Sequence, residues 1–498
     1  MSPLQHAAPL FHRRVPSICN VLRYIVPVLG LLAGPAAVRA QPVQRVQDAI
    51  VADALQDRSA YEFLGRLCDD FGGRLTGSPA NQAALVRTVE ELRALGVDAR
   101  LQTFKMPGWV RRDDEATLVV PFERRLRVCA IGYVQPHDAV EAAVVDLGNG
   151  SDEAIKGLDT KGKIGLLGPN AESRRGGYDA LAHDLGLVGI LGTCRVRGGQ
   201  LLCRTGSFQG HPVNVPAFCV TQEEGLWMQR LLKRGRPVRV RLQTRSFCQE
   251  VDTANIVVTF PGRTAETVVV GAHFDSWDLG QGAIDNGLGT AQIFALAKLF
   301  QAHAPQNLRT VELVWFNGEE QGLWGSRHFA PTLQGRPVVA MVNLDMVGYP
   351  TSVNALGCAE MVPVLEKFNA TLGARKLAEG VANADWFGSD QTSFQLQGIR
   401  AITVGGTIDP DVVRYYHDFG DSYDKSDPKM IAESSATIAA LAYWLANEPG
   451  LNPHRMPEAE TVAVLRAAKM EHSLRAVGLW PFKDEPAAPP PNPPAPKS

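Results

Sequence analysis

Apolar positions recur along this chain in two rhythms. From residue 41 to about 95 they fall at helical spacing. Ala49, Ile50, Ala54 and Leu55 mark one amphipathic segment, Tyr61, Leu64 and Leu67 a second, and residues 81–95 a third that stops at Gly96. Residues 97–104 then alternate as a half-buried strand does. From about 119 to 247 the texture changes to short β-like runs (126–131, 142–147, 163–167, 189–191, 238–242) between Gly-rich turns. Longer apolar runs return at 253–260, 268–270, 309–316 and 338–347, alternating with helical patterns at 291–300, 323–329 and 360–372. A strand at 401–404 and a helix at 429–447 extend the alternation. Continuous β-branched runs alternating with helices predict an α/β fold: a mixed, mostly parallel sheet flanked by helices. The β-rich segment 119–248 is expected as a domain inserted between 41–118 and 249–450, with a C-terminal extension over 451–498.

The two ends read differently. Arg13, Arg14 and Arg23 precede an apolar run at 24–34, and small residues at 38–40 follow, so residues 1–40 read as a secretory signal peptide. An uncleaved membrane anchor is the alternative. No later stretch is apolar enough to cross a bilayer, so the expected product is soluble and secreted or periplasmic. Residues 458–477 read as one amphipathic helix and 485–498 as an extended Pro-rich tail. At 498 residues with 45% hydrophobic content, the chain can bury a large core in more than one domain. A formal charge of −2 without basic clustering excludes an electrostatic case for nucleic acid. A homodimer is left open. Once Cys19 leaves with the signal seven cysteines remain, of which Cys194 and Cys203 flank a turn that a disulfide can close.

The chemistry concentrates where predicted strands end. After the run 268–270 come His273, Asp275 and Asp285, spaced by glycines, at the place where open α/β sheets hold ligands. Imidazole and carboxylate are zinc ligands of the catalytic kind; a strand-capping His273 and a helix-capping Asp285 are the bland alternatives. Glu319 and Glu320 end the next strand, where one can bind metal while the other faces water, or both can be a solvated acidic pair. Asp345 is the one charge in the apolar run 338–347, costly unless it coordinates metal or pairs with a core Arg. His417 is the sole histidine between Asp345 and His454. Five such N/O donors suit a pair of zinc ions bridged by one carboxylate. Asp275, two residues from His273, is placed to hold the imidazole's second nitrogen or its loop. His137, His183 and His211 are scattered and read as surface or core residues.

The ordered set His273-x-Asp275, Asp285, Glu319-Glu320, Asp345 and His417 resembles the co-catalytic zinc exopeptidases, which include secreted aminopeptidases and glutamate carboxypeptidases. Residues 275–283, the turn 73–78 and Trp109 are similar to the plasma glutamate carboxypeptidase branch. Residues 161–167, 186–191 and 215–217 resemble a protease-associated domain. The resemblance implies that Asp285 bridges two Zn2+ per chain, with His273 and Asp345 completing one site and Glu320 and His417 the other. It also implies that Glu319 is the general base and that the substrate is a dipeptide or short peptide. Asn286, where some relatives carry a second acid, reads as a loop or helix-start residue. A broad aminopeptidase is the alternative within the class. The same fold hosts receptor-like proteins without metal ligands, against which the intact set argues, and glutaminyl cyclases with one working metal.

Overall fold

The computed structural model describes residues 43–171, 176–304, 306–384 and 386–483. The expected signal peptide at 1–40 and the Pro-rich tail at 485–498 lie outside them. The described residues belong to one compact unit built on two eight-stranded sheets.

Three amphipathic helices open the chain, α1 (Val43–Gln56), α2 (Ser59–Phe71) and α3 (Pro79–Ala94). The last starts at Pro79, two residues ahead of the expected 81, because Ser78 accepts a bond from Asn81 N and Pro79 fixes the first helical φ. The main sheet comprises β1 (Ala99–Val110), β2 (Phe247–Phe260), β3 (Thr267–His273), β4 (Thr310–Phe316), β5 (Val338–Asn343), β6 (Tyr349–Asn354), β7 (Gly380–Ala382) and β8 (Ala401–Thr407). Its order is β1-β2-β4-β3-β5-β8-β6-β7. The centre, β4-β3-β5-β8, is parallel, and β1-β2-β4 and β8-β6 are antiparallel. The expected mixed, mostly parallel α/β sheet is therefore present. Every residue of β3 and β5 is buried, which is why these strands read as unbroken apolar runs.

Two helices cover one face of this sheet, α4 (Leu288–His303) and α5 (Pro428–Asn447). Both are apolar nearly all round because they lie sandwiched between the sheet and α1 and α2. Phe63 of α2 stacks on Phe294 of α4 with ring centres 4.2 Å apart.

Residues 115–244 supply the second sheet. Its strands 137–146, 164–167, 189–193 and 217–220 run parallel, and helices Gly177–Leu185 and Gln222–Lys233 accompany them. Its core is not self-contained, because Leu75, Trp109 and Trp277 pack into it from outside the segment.

Three further expectations are corrected. Strand β5 stops at Asn343, so Asp345 sits past the strand in a loop, and the cost of a charge inside a buried strand does not arise. The single helix over 458–477 is two, Glu458–Ala467 and Glu471–Ala476, broken at Lys469 with φ +55°. All seven cysteines from Cys68 to Cys358 are free thiols. Instead of bonding each other, Cys194 Sγ accepts from Leu202 N and Cys203 Sγ from Arg111.

Candidate active site

All five proposed ligands and Glu319 meet beyond the carboxyl ends of the parallel strands, lining one cavity of about 1370 Å³. His273 is the last residue of β3, and its Nε2 is 3.2 Å from Asp285 Oδ1 and 3.7 Å from Asp345 Oδ1. His417 Nε2 is 2.9 Å from Asp285 Oδ2 and 3.1 Å from Glu320 Oε2. Two three-ligand groups thus form, His273–Asp285–Asp345 and Asp285–Glu320–His417, each with ligand atoms within 4.8 Å of one another. They share Asp285, whose two oxygens face opposite groups.

Each ligand is fixed from behind. His273 Nδ1 is bonded to the main-chain carbonyl of Asp275 at 3.0 Å, and His417 Nδ1 to that of Cys203 at 2.7 Å, so each ring turns Nε2 to the site. The expected pairing of the Asp275 carboxylate with His273 is looser, at 3.8 Å. That carboxylate holds the adjoining loop instead, accepting from Glu319 N and Glu320 N at 3.1 and 3.3 Å. Asp275 therefore sets where both glutamates point.

Asp285 sits in the turn Ala283–Gly287 between the glycine-rich loop and α4, and its bond to Asn286 is cis. Asp421 accepts from Ile284 N and Asp285 N at 2.7 and 3.0 Å. Asn286 is committed as the sequence suggested: Oδ1 accepts from Gly289 N and Met346 N, and Nδ2 donates to Leu344 O. One amide thereby starts α4 and ties down the loop of Asp345. Arg74, fully buried, donates to the carbonyls of Gly72, Phe274, Gln281 and Gly282 and so braces the loop from His273 to Asp285. Gly282 has φ +59°, and a Cβ there would lie 2.2 Å from Ser276 Cβ, so a side chain would break this brace.

The electrostatics are those of a crowded carboxylate nest. Burial opposes a charged imidazole, yet the surrounding carboxylates hold both His273 and His417 well above the usual range. Burial would lift Asp285 too, but the two histidines outweigh it and hold that carboxyl below its usual value. Burial, then repulsion from Glu320, Asp345 and Asp390, raises Glu319 well above an ordinary glutamate. Burial and Asp285 push Glu320 up to about 7. Glu320 Oε1 is buried without a hydrogen-bond partner. A site with more buried carboxylates than cations, and a buried acceptor left over, fits a divalent metal, and N/O donors of this mix suit zinc.

Sequence reasoning missed several contributors. Asp390 is fully buried, and burial and the nearby Asp275 and Asp345 push it up to about 7 despite His273 and Ser326. It sits in the polar run Gly388-Ser389-Asp390-Gln391-Thr392-Ser393, where no apolar strand flags it. Asp421 was one acid among several in 418–424. The carbonyl of Cys203 carries no sequence signal at all. Among the described residues neither candidate ligand group draws on the segment 119–248, but the orienting partner of His417 does.

Residues 255–442 match a family model described as Peptidase family M28. Rat carboxypeptidase Q is 26% identical over 420 residues, covering 80% of this chain and 87% of that protein. A peptidase M28 precursor from Shewanella amazonensis aligns with a TM-score of 0.74 at 22% identity, over 83% of this chain and 99% of its own. The zinc aminopeptidase BSAP from Bacillus subtilis aligns with a TM-score of 0.62 at 21% identity, over 80% and 98%. At these identities the two structures speak for the fold, and the matched segment 255–442 contains every ligand of the two groups. The chain is a zinc metallo-exopeptidase, and its residues 255–442 match the model of peptidase family M28.

Proposed function

We propose that the chain is an exported exopeptidase that hydrolyses dipeptides or short peptides with two zinc ions bridged by Asp285. The observation that carries this reading is the placement of the two Asp285 oxygens, 3.2 Å from His273 Nε2 and 2.9 Å from His417 Nε2 on opposite sides. His273 and Asp345 would hold one ion and Glu320 and His417 the other. Bound there, zinc supplies Lewis acidity, lowering the pKa of water and stabilising negative charge on a carbonyl oxygen. Glu319 lines the same cavity beside these ligands and makes the proton transfers. It accepts the proton of the attacking water and returns it to the departing amine, a role suited to a buried carboxylate with a raised pKa. Asp275 keeps Glu319 aimed by holding its main-chain N–H. Export rests on the basic and then apolar pattern of residues 1–40; among the described residues no helix is long and apolar enough to cross a membrane.

Metal analysis combined with a dipeptide panel, each member also blocked at either terminus, tests the reading. Two zinc ions per chain and cleavage of unblocked dipeptides are expected. Asp285→Ala should lose both ions and activity together. Two zincs retained in that variant would refute the bridge, and one working zinc in the wild type would favour a cyclase-like site.

A further inference from the structure

The cavity has a second wall that the hydrolytic machinery does not use. Apart from the two ligand groups and Glu319, the described ionisable residues lining it include Arg195, Arg204, His211, Arg475 and Asp179. Asp179 is already engaged by the main-chain and side-chain N–H groups of Asn214, at 2.8 and 3.1 Å. Arg475 is paired with Glu471 at 2.8 Å, and Arg204 is partly buried beside Tyr178 with its Nε left without a hydrogen-bond partner. Arg195 is different. It is exposed to the cavity, its side chain donates to the Tyr416 hydroxyl, and it has no carboxylate partner among the described residues. Its main chain is anchored, because Gln222 Nε2 donates to its carbonyl at 2.8 Å. A phenol can orient a guanidinium but cannot neutralise it.

The position matters as much as the charge. The Arg195 guanidinium carbon is 5.9 Å from the centre of the Tyr416 ring, which is 4.8 Å from the centre of the His417 ring. Guanidinium and ligand imidazole are thus no more than about 11 Å apart, the span of roughly three extended residues. A peptide with its scissile carbonyl at the metal ligands would bring the carboxylate of a one- or two-residue leaving group to Arg195. The planar fork of an arginine matches a carboxylate in shape as well as charge. An α-ammonium would need a carboxylate on this wall; among the described lining residues Asp179 is the one outside the ligand groups and Glu319, and its Oδ1 already accepts both N–H groups of Asn214.

We propose that Arg195, held by Tyr416, binds the C-terminal carboxylate of the substrate and makes the enzyme a reader of free carboxyl ends. The inference rests on the exopeptidase reading above and adds which terminus is recognised. The test compares zinc-loaded wild type, Arg195→Ala and Arg195→Lys on the best-cleaved dipeptide of the panel and on its C-terminal amide. Wild type should prefer the free acid by roughly tenfold or more in kcat/KM, the scale of one charge-assisted pair. Arg195→Ala should lose that preference, mainly through KM on the acid, and Arg195→Lys should restore part of it. Calorimetric binding of the same two peptides in a Glu319→Gln background gives a readout independent of turnover, with the acid-to-amide ratio of Kd collapsing on Arg195→Ala. An unchanged ratio in both measurements would overturn the assignment. A wild type that binds the acid tightly through Arg195 yet hydrolyses nothing would overturn the exopeptidase reading and leave the carboxylate site standing.

Discussion

Glu319 and Glu320 are neighbours held by the same carboxylate of Asp275, yet they meet different surroundings. Glu320 Oε2 lies 3.1 Å from His417 Nε2, while Glu319 belongs to neither ligand group. Their roles are therefore separable. Glu319→Gln keeps the shape and removes the base, so hydrolysis should fall by roughly a hundred- to ten-thousand-fold with zinc near two per chain. Glu320→Gln should weaken one metal site, with activity partly regained in excess zinc. Zinc analysis beside a dipeptide assay distinguishes the two, and metal loss in Glu319→Gln with metal kept in Glu320→Gln would swap the assignments. The candidate metal ligands were legible because their types and order are chemically unusual at strand ends. Those behind them were not: Asp421, Asp390 and the Cys203 carbonyl act through main-chain bonds and burial, which leave no pattern in a single sequence. Asp345 was found for a reason that fails, since it lies beyond β5 and not inside it.

Among the elements, the loop 194–206 is the one whose task the sequence concealed. It leaves the second sheet and docks on the segment that carries His417. Leu201 N donates to Asp418 Oδ2 at 2.7 Å, Cys203 N to His417 O at 3.2 Å, and Arg414 reaches back to Gln200 and to the carbonyl of Arg197. His417 itself has φ +61°, a conformation a non-glycine residue keeps only when its surroundings impose it. Asp418→Ala removes the acceptor for Leu201 N and Gly420 N. It should lower zinc affinity at the Glu320–His417 site by about ten- to a hundredfold, the range for loss of an outer support. The ion at His273–Asp345 should stay, and Asp418→Asn should behave more mildly because its amide oxygen still accepts. Competition with a chelator, read as two separate affinities, checks this; equal weakening of both sites would contradict it. Helices and strands of the main sheet were readable because each buries a long periodic face. The break in the helix expected over 458–477 is not readable, because nothing in its apolar spacing marks the left-handed residue Lys469.

For the molecule as a whole, the carboxylate nest links metal, protons and stability. Without metal, burial and Asp285 push Glu320 up to about 7 in the folded chain from the ordinary glutamate value of 4.5, and both histidines are likewise raised on folding. Between these values the folded state binds more protons than the unfolded one, so stability falls as pH rises. The EDTA-treated protein should thus lose thermal stability from about pH 5 to 8, whereas the zinc-loaded protein should gain it, because zinc replaces those protons. Thermal unfolding across that range, with and without zinc, would show the two trends crossing; parallel trends would mean the nest does not hold the metal. The α/β architecture was readable at this scale, but the continuity of its cores was not, since Trp109 and Trp277 join the second core from outside the segment. That continuity bears on chimeras. A graft that replaced residues 119–248 with the matching segment of a relative would exchange more than a decorative lobe. The incoming loop would have to present a carbonyl to His417 and a cation beside Tyr416, so donor segments would succeed or fail together with their native C-terminal halves. The two regions are thus expected to be inherited as one unit.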